Sequence, residues 1–280
     1  MKILICGGNG EVGKDLADYL SKEHSIIISS RSSKNKKTKN IIYKKLDFSK
    51  KIMINQKIDL IINCIATHEF SKKKQLEDYY LSNVQAVFNI IKFAKKNNSK
   101  IINLSTISIY DVRKNFILKE NQHDIASNKL AVTKFIGEKL FELSTLNFIN
   151  LRMPGVLSTN YTARRPWLRT VISKINKNQN IKCFNLNMKF NSLIDTREIY
   201  KFIKSIIKKK FFRGTYNFSA SNPIKLKKLL MFIIKKTKSK SKLIDLGHSD
   251  NKIISNNLIK KKLTFNTNTV KRIIIRNLNG

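Results

Sequence analysis

The chain has 280 residues, 41% of them hydrophobic and 26% charged, and a formal net charge of +38 at pH 7. This length allows a large buried core, either as one big domain or as a domain with a smaller lobe. No apolar run approaches the ~18 residues that a membrane span needs, so a membrane-spanning protein is excluded.

A strong positive charge is typical of proteins that bind nucleic acids or anionic membranes. Here the lysines are spread over nearly every segment and accompany an excess of Ile and Asn, which share A/T-rich codons. We therefore interpret the charge as a compositional bias and expect neither a nucleic-acid nor a membrane partner. A true polyanion-binding surface is the alternative, and in either case the positive field should attract an anionic nucleotide.

The three cysteines, Cys6, Cys64 and Cys183, are far apart and lack the spacing of a metal site. Two lie in strand-like apolar runs, which is typical of buried free thiols in a reducing compartment. Residues 3–6 are too short a run for a signal peptide. We expect a cytoplasmic protein without a bound metal.

The first strand-like run leads directly into Gly7, Gly10 and Gly13, and a helical pattern of apolar residues begins at Val12. A strand, a glycine turn and a helix start are the context in which such a motif binds a dinucleotide. The first glycine permits the turn, the second lets a pyrophosphate approach the backbone, and the third packs the helix on the strand. The helix N-terminus then faces the phosphates. A plain strand-to-helix turn is the alternative.

The second strand, residues 26–28, is followed by Arg31 among serines. An NAD site would carry an acid near this point for the ribose 2′-hydroxyl, whereas an arginine suits a 2′-phosphate. The sequence therefore favours NADP(H) over NAD(H). A solvated basic loop is the alternative, because the next residues are rich in lysine.

Strand and helix patterns alternate along the rest of the first half. The predicted strands are residues 41–46, 58–66, 100–106 and 148–152, and the predicted helices are residues 79–97 and 130–143. This alternation predicts an α/β protein with a Rossmann-type, doubly wound parallel sheet and a small C-terminal substrate lobe.

Further motifs follow the glycines in a fixed order: Asp47-Phe48, Asn63-Cys64-Ile65-Ala66, Asn83-Val84, Leu104-Ser105-Thr106 with Tyr110, Leu151-Arg152-Met153-Pro154, Asn191 to Asp195, and Gly214 to Phe218. Together they resemble the extended short-chain dehydrogenase/reductase superfamily in its NAD(P)-dependent epimerase/dehydratase branch, with some likeness to dTDP-4-dehydrorhamnose reductases. The resemblance implies an NAD(P)-binding domain over residues 1–152. A smaller substrate-binding lobe over residues 153–280 would have segments that return to the main sheet. Relatives often dimerise through two helices, so a homodimer is an open expectation.

The resemblance also implies which residues contact the cofactor. They are Gly7, Gly10, Glu11, Val12, Gly13, Arg31, Asp47, Phe48, Cys64, Ala66, Asn83, Lys134 and Pro154.

The reaction centre departs from the family pattern. Relatives use a Tyr and a Lys four residues apart on one helix, with a Ser or Thr from the fifth strand. A nearby ammonium lowers the pKa of the phenol so that it can exchange a proton with a sugar oxygen. Thr106 and Lys134 match the catalytic hydroxyl and lysine, but Leu130 occupies the tyrosine position.

Leucine cannot exchange a proton, so another group must do so or the usual chemistry is absent. The candidates are Tyr110, Asp111, His123, Asp124 and Tyr161. Tyr110 matches a packing tyrosine of the family, and His123 and Asp124 lie in a polar loop, so each also has a purely structural interpretation.

The segment after the sixth strand combines paired arginines with aromatic residues, which suits a diphosphate and a base or sugar ring. The implied substrate contacts are Thr106, Tyr161, Arg164, Arg165 and Trp167. A solvated loop with Trp167 packed inward is the alternative. By resemblance, Asp195 fixes the lobe, residues 224–236 form a core-packing helix, and residues 263–265 form a short strand.

The sequence therefore predicts an NAD(P)-dependent epimerase, dehydratase or reductase that acts on a nucleotide-linked sugar, in polysaccharide synthesis by family analogy. Proton transfer would use a non-standard group or water. The alternative is a catalytically degenerate NADP(H)-binding sensor or scaffold, and a third interpretation, based only on charge, is an RNA-associated protein.

Overall fold

The computed structural model describes residues 1–31, 36–67, 74–112, 116–122, 124–159, 167–209, 213–248 and 251–278. The strands are β1 (Lys2–Cys6), β2 (Ser25–Ser30), β3 (Lys36–Lys37), β4 (Ile41–Lys45), β5 (Leu60–Asn63), β6 (Lys100–Thr106), β7 (Ile117–Leu118), β8 (Phe148–Met153), β9 (Gly155–Leu157), β10 (Ile181–Cys183), β11 (Lys189–Phe190), β12 (Leu193–Asp195), β13 (Gly214–Asn217), β14 (Ile224–Lys225), β15 (Leu243–Asp245) and β16 (Ile253–Ile254). The helices are α1 (Glu11–Leu20), α2 (Leu76–Tyr80), α3 (Ala86–Asn97), α4 (Lys129–Leu143), α5 (Trp167–Asn176), α6 (Thr196–Ile206), α7 (Leu226–Lys236), α8 (Asn257–Leu263) and α9 (Val270–Leu278), and a π-helical turn, Leu81–Gln85, joins α2 to α3.

The main sheet has the strand order β13-β8-β6-β5-β1-β2-β4-β3 among the described residues. β1 pairs in parallel with both β2 and β5, β2 with β4, and β5 with β6, while β3 returns antiparallel on β4. The chain order reverses between β1 and β5, which makes the carboxyl ends of these two strands the topological switch point. The predicted Rossmann-type parallel sheet is confirmed.

Apolar strands explain why the sheet forms the core. Ile3, Leu4 and Ile5 are completely buried, as expected for a central parallel strand with both faces covered. α3 packs on the sheet through apolar residues at helical spacing, including Val87, Ile90 and Ala94.

Contacts within the chain define two compact units. The first comprises Met1–Asp111, His123–Arg152 and Ile199–Tyr216, and it contains the glycine turn and α4. The second comprises Val112–Gln122, Met153–Glu198 and Asn217–Gly280.

In the second unit, short strands pair as β9 with β12, β10 with β15, β11 with β14, and β7 with β16. Asp195 Oδ1 accepts a hydrogen bond from the Glu198 N–H at 2.9 Å, which caps the start of α6, and the carboxylate also binds the Arg276 guanidinium. These bonds tie α9 to the start of α6. None of the helices that the structure describes is long and apolar enough to cross a membrane.

One predicted element is wrong. Residues 263–265 form no strand, because Leu263 ends α8 and Thr264 closes that helix in a left-handed conformation with φ 54°. Three lysines before this point suit the end of a helix, where cations interact favourably with the helix dipole.

Candidate cofactor and active site

The turn after β1 has the geometry that the glycine spacing predicts. Gly7 adopts φ +74°, and a Cβ there would lie 3.1 Å from the backbone of Cys64 and Ile65. The Gly7 N–H donates to the Ser29 carbonyl at 2.8 Å. The turn is therefore held close to both strands that neighbour β1.

The start of α1 fits an anionic ligand. A Cβ on Gly13 would lie 2.7 Å from the Gly8 Cα, so this glycine allows the helix to sit directly on the turn. Gly10 is the N-cap, is exposed, and has no side-chain cap; a Cβ on it would meet only the Gly7 carbonyl oxygen, at 3.4 Å. The half-buried Glu11 and Val12 form the first turn. Open space above a helix N-terminus is what a pyrophosphate requires.

Lys134 lies on α4 but reaches the ends of two strands. Its Nζ donates to the Ile65 carbonyl at 2.9 Å, just beyond β5, and to the Leu104 carbonyl at 3.3 Å in β6. The residue is 5% exposed. Burial lowers the pKa of Lys134 to about 8, although Glu138 and Cys64 act in the opposite direction. The ammonium is thus held at the switch point of the sheet, where both protonation states are accessible near neutral pH.

The two cysteines near this point are protonated thiols. Burial raises the pKa of Cys64 to about 12, with Lys134 opposing the shift, and burial raises the pKa of Cys6 well above its usual range. Cys64 and Ala66 are half-buried and follow β5 directly. These two residues form part of the segment that follows β5. With its raised pKa, the Cys64 thiol is not activated as a nucleophile.

Asn83 is buried in the π-helical turn and makes its bonds within the protein. Its Nδ2 donates to the Thr133 hydroxyl at 3.0 Å, and its Oδ1 accepts from the Thr67 N–H at 3.4 Å. The amide therefore joins α4 to the segment that follows β5.

Thr106 ends β6 and is half-buried. Its hydroxyl accepts a hydrogen bond from the Ser108 N–H at 3.1 Å, which caps a short 3₁₀ turn. Leu130 lies in the first turn of α4 and is 4% exposed. An apolar, buried side chain therefore stands one helical turn before Lys134.

Tyr110 has a structural partner. Its hydroxyl accepts a hydrogen bond from Arg152 Nη1 at 2.9 Å, and the guanidinium lies 5.0 Å from the centre of its ring. Arg152 also forms a buried ion pair with Glu138, at 2.7 Å from Nη2 to Oε2. Burial alone would lower the pKa of Arg152, but the Glu138 carboxylate raises it above its usual range.

Arg31 is exposed immediately after β2. Hydrogen bonds from Ser49 lower the pKa of Asp47, and Arg31 and Lys50 lower it further. Phe48 is 4% exposed within the core, so its ring is not available to a ligand, and its carbonyl accepts from Asn89 Nδ2 at 2.9 Å.

The other predicted residues fall elsewhere. The N–H of Asp111 donates to the carbonyl of Asp124 at 2.9 Å, which pairs the two loops. His123, Tyr161, Arg164 and Arg165 lie outside the described residues.

Pro154 is buried in the second unit. Trp167 begins α5 in that unit, is 46% exposed, and has its ring centre 6.2 Å from that of Phe190.

Sequence reasoning placed Asn63 in a motif but gave its side chain no role, and it did not predict the pairing of Glu138 with Arg152. The amide of Asn63 binds the Ile65 N–H at 3.1 Å and so shapes the segment that holds Lys134. These residues could have been identified as polar side chains at positions expected to be buried, since a buried polar or charged group needs a partner.

The model of the family described as RmlD substrate binding domain matches residues 1–253. A search of curated protein sequences found no match.

Solved structures with the same fold are distant in sequence. The Bordetella bronchiseptica enzyme WbmG, in complex with NAD and UDP, is 14% identical with a TM-score of 0.82, over 99% of this chain and 93% of that chain. UDP-N-acetylglucosamine 4-epimerase from Methanobrevibacter ruminantium M1, in complex with UDP-N-acetylmuramic acid, is 18% identical with a TM-score of 0.82, over 99% and 97%. UDP-glucose 4-epimerase from Thermotoga maritima, with UDP-glucose, is 13% identical with a TM-score of 0.80, over 100% and 98%.

Proposed function

The chain belongs to the family described as RmlD substrate binding domain, and on that premise we propose that it binds a nicotinamide dinucleotide and converts a nucleotide-linked sugar. The match confirms the superfamily that the order of motifs predicted. The observation that carries the proposal is that the glycine turn and the buried Lys134 both lie against Ile65. A Cβ on Gly7 would be 3.1 Å from the Ile65 nitrogen, and Lys134 Nζ donates to the Ile65 carbonyl at 2.9 Å. A bound nicotinamide would accept a hydride and return it in an epimerisation or a dehydration, or would donate one in a reduction.

Each cofactor contact is assigned from its place in the fold. The first turn of α1 would hold the pyrophosphate above Gly10, and Lys134 would hold the nicotinamide ribose beside Cys64 and Ala66. Asp47 and the Phe48 backbone would lie at the adenine. These residues belong to one compact unit.

The substrate class is supported by the neighbours in fold, two of which were solved with UDP-linked sugars. For this chain we assign Thr106 to hold the reacting oxygen, and Tyr161, Arg164, Arg165 and Trp167 to contact the nucleotide sugar. The exposed ring of Trp167 is available for such stacking.

Proton transfer would not use residue 130. Leu130 has no proton to exchange, and the Tyr110 hydroxyl is bound by Arg152. Lys134 is the proton-transfer group in this proposal, through the ribose hydroxyl that it holds or a water bound there, because its pKa near 8 makes both forms accessible. Asp111 and Asp124 are the next candidates among the described residues.

The alternative is a catalytically degenerate protein that binds NADP(H) as a sensor or scaffold. The burial of Leu130 where relatives carry a tyrosine favours it. It predicts cofactor binding without turnover.

The test is turnover of a panel of UDP- and dTDP-linked sugars with each nicotinamide cofactor, followed by product chromatography and NAD(P)H absorbance. Lys134→Met should abolish turnover, whereas Lys129→Met, which removes an exposed lysine of the same helix, should not. Cofactor binding without turnover across the whole panel would favour the degenerate protein. Absence of any cofactor binding would refute both.

We also propose that NADP(H) is preferred, since Arg31 at the end of β2 suits a 2′-phosphate. Arg31→Glu should weaken NADPH binding about tenfold to a hundredfold and leave NADH binding unchanged. Lys50→Glu makes the same charge change beside the same Asp47 and should leave the NADPH/NADH ratio unchanged. If both variants weakened NADPH binding equally, the effect would come from the overall positive charge of the protein and not from a specific contact of Arg31.

Finally, we propose a homodimer formed by α3, the π-helical turn before it, and α4. Leu81 and Phe88, seven positions apart, and Val132 and Ile136, four apart, are apolar and 37–42% exposed. Light scattering should give twice 32.5 kDa for the wild type and one copy for Phe88→Glu. Met231→Glu, at an exposed apolar position of the other unit, should remain a dimer.

A further inference from the structure

Three asparagines and a threonine form a hydrogen-bonded row across the main sheet. Asn63 Nδ2 donates to Asn103 Oδ1 at 2.9 Å, Asn103 Nδ2 to Asn150 Oδ1 at 2.9 Å, and Asn150 Nδ2 to the Thr215 hydroxyl at 3.0 Å. The four residues belong to β5, β6, β8 and β13, which are neighbours in that order. The asparagines are at most 2% exposed. We call these four residues the amide row.

Central strands of a parallel sheet are normally apolar on both faces, so the presence of buried polar side chains in these strands requires an explanation. A buried amide that lacks partners destabilises the fold, whereas here each amide is paired on both sides. On β1 the residue opposite Asn63 is Cys6, and the row ends there. Its end thus falls at the switch point, beside the segment that follows β5.

The amide row runs in one direction. The Ile65 N–H can only donate, and it binds Asn63 Oδ1 at 3.1 Å, so Asn63 must turn its Nδ2 toward Asn103. The same argument fixes the orientation of the next two amides: each accepts through Oδ1 from the previous residue and donates through Nδ2 to the next. At the far end the Thr215 hydroxyl donates to Glu142 Oε1 at 3.0 Å. Aligned hydrogen bonds that end on a carboxylate strengthen one another.

Ile65 is therefore held at both of its polar backbone atoms. Its N–H is bound by the amide row through Asn63, and its carbonyl accepts from Lys134 Nζ at 2.9 Å. The two bonds flank the φ and ψ angles of one residue, so a shift of Asn63 that displaces Ile65 is expected to displace the carbonyl that Lys134 binds. The position of the ammonium is thus linked to side chains up to three strands away.

We propose that the amide row positions Lys134, so that Asn103, Asn150 and Thr215 act on the cofactor site without touching it. The proposal rests on the proposed function for its consequence in cofactor binding. Its consequence for the apo protein is independent of that function, because the contacts to Ile65 exist within the protein itself.

The test compares Asn103→Leu with Asn191→Leu. Asn191 is also buried, at 1% exposure, and its Nδ2 is bonded to Ser219 and to the carbonyls of Ala220 and Ile254, but it lies in the other unit. Both variants lose a buried amide and should lose stability. Only Asn103→Leu should weaken NADPH binding, by about threefold to thirtyfold.

A second readout needs no cofactor. NMR of protein labelled with ¹³C at the lysine Cε, which leaves the ammonium unmodified, gives the pKa of Lys134 in the apo protein, with its signal assigned by its loss in Lys134→Met. Asn103→Leu should lower this pKa further below about 8, because the cation loses its Ile65 acceptor. Asn191→Leu should leave it unchanged.

Thr215→Val serves if Asn103→Leu does not fold, since it removes only a half-buried hydroxyl at the far end of the row. A lowered Lys134 pKa in either row variant supports the proposal even if the wild type binds no cofactor, which would refute the proposed function alone. An unchanged Lys134 pKa in the row variants, equal to that of Asn191→Leu, would overturn the positioning role and leave the amide row as packing.

Discussion

Glu138 holds Arg152 by a two-point ion pair, with its carboxylate accepting from Nε at 3.0 Å and from Nη2 at 2.7 Å, and both side chains are at most 4% exposed. The third nitrogen of the same guanidinium donates to the Tyr110 hydroxyl. A glutamate from α4, an arginine from β8 and a tyrosine just beyond β6 thus meet in one network. These contacts join α4, which carries Lys134, to β8 and to the segment after β6.

The network lets us test whether Tyr110 has a structural or a catalytic role. Tyr110→Phe should cost about 1 kcal/mol of unfolding free energy, from one lost hydrogen bond, and leave turnover unchanged. Glu138→Gln should cost about 3–5 kcal/mol, because it removes the carboxylate that neutralises a buried guanidinium. Urea denaturation gives both values. Loss of turnover in folded Tyr110→Phe would instead make this tyrosine the proton donor.

The glycine turn offers a second matched pair. Gly13→Ala should destabilise the protein by about 1–3 kcal/mol, because its Cβ would lie 2.7 Å from the Gly8 Cα and neither backbone can move freely. Gly10→Ala should cost about 1 kcal/mol or less, since its φ of −71° suits any residue, yet its methyl group would occupy the space assigned to the pyrophosphate.

Thermal unfolding and NADPH titration distinguish the two glycines. The expected result is that folded Gly10→Ala binds NADPH at least tenfold more weakly, about 1.4 kcal/mol. Wild-type affinity in Gly10→Ala would mean that the pyrophosphate does not lie over this residue.

Much of this arrangement was predictable because glycine spacing and apolar runs are local signals. β6 has the predicted bounds, and β1 is followed by the predicted turn. The predicted ends of a strand differ from the observed ones where apolar residues continue past the strand. The run 58–66 contains only Leu60–Asn63 as a strand, because the chain then turns to bring the Ile65 carbonyl to Lys134.

The parts that could not be predicted depend on pairs far apart in sequence. Nothing local indicates that Asn63 meets Asn103, or that Glu138 meets Arg152. The β3 hairpin was missed because two lysines carry little strand propensity, and they pair with β4 only because that strand offers an open edge.

The buried ammonium of Lys134 should make stability depend on pH. The pKa is about 8 in the folded protein and about 10.4 in the unfolded chain, so the unfolded state binds more protons between these values. Stability therefore rises with pH in this window, by up to about 1.4 kcal/mol per pH unit. Below pH 8 both states are protonated and the full cost of the buried cation is present.

The measurement is the difference in unfolding free energy between the wild type and Lys134→Met at several pH values from 7 to 10. The difference removes the contribution of Cys6 and Cys64, whose raised pKa values make stability fall over the same range. The expected difference is flat below pH 8 and then changes in favour of the wild type. A flat difference throughout would show that Lys134 keeps an ordinary pKa.

Leu130→Tyr asks whether the chain has retained catalysis. The new phenol would stand one helical turn before Lys134, in a buried position, so it should cost about 1–3 kcal/mol by overpacking. Leu130→Phe is the matched control, with nearly the same volume and no hydroxyl. Each protein is assayed for NADPH binding and for turnover of the nucleotide-sugar panel. We expect an active wild type that neither variant improves, since the proposed proton transfer uses a group other than residue 130. An inactive wild type that gains activity with Tyr but not with Phe would overturn that expectation and identify a cofactor-binding protein that lost its acid–base group.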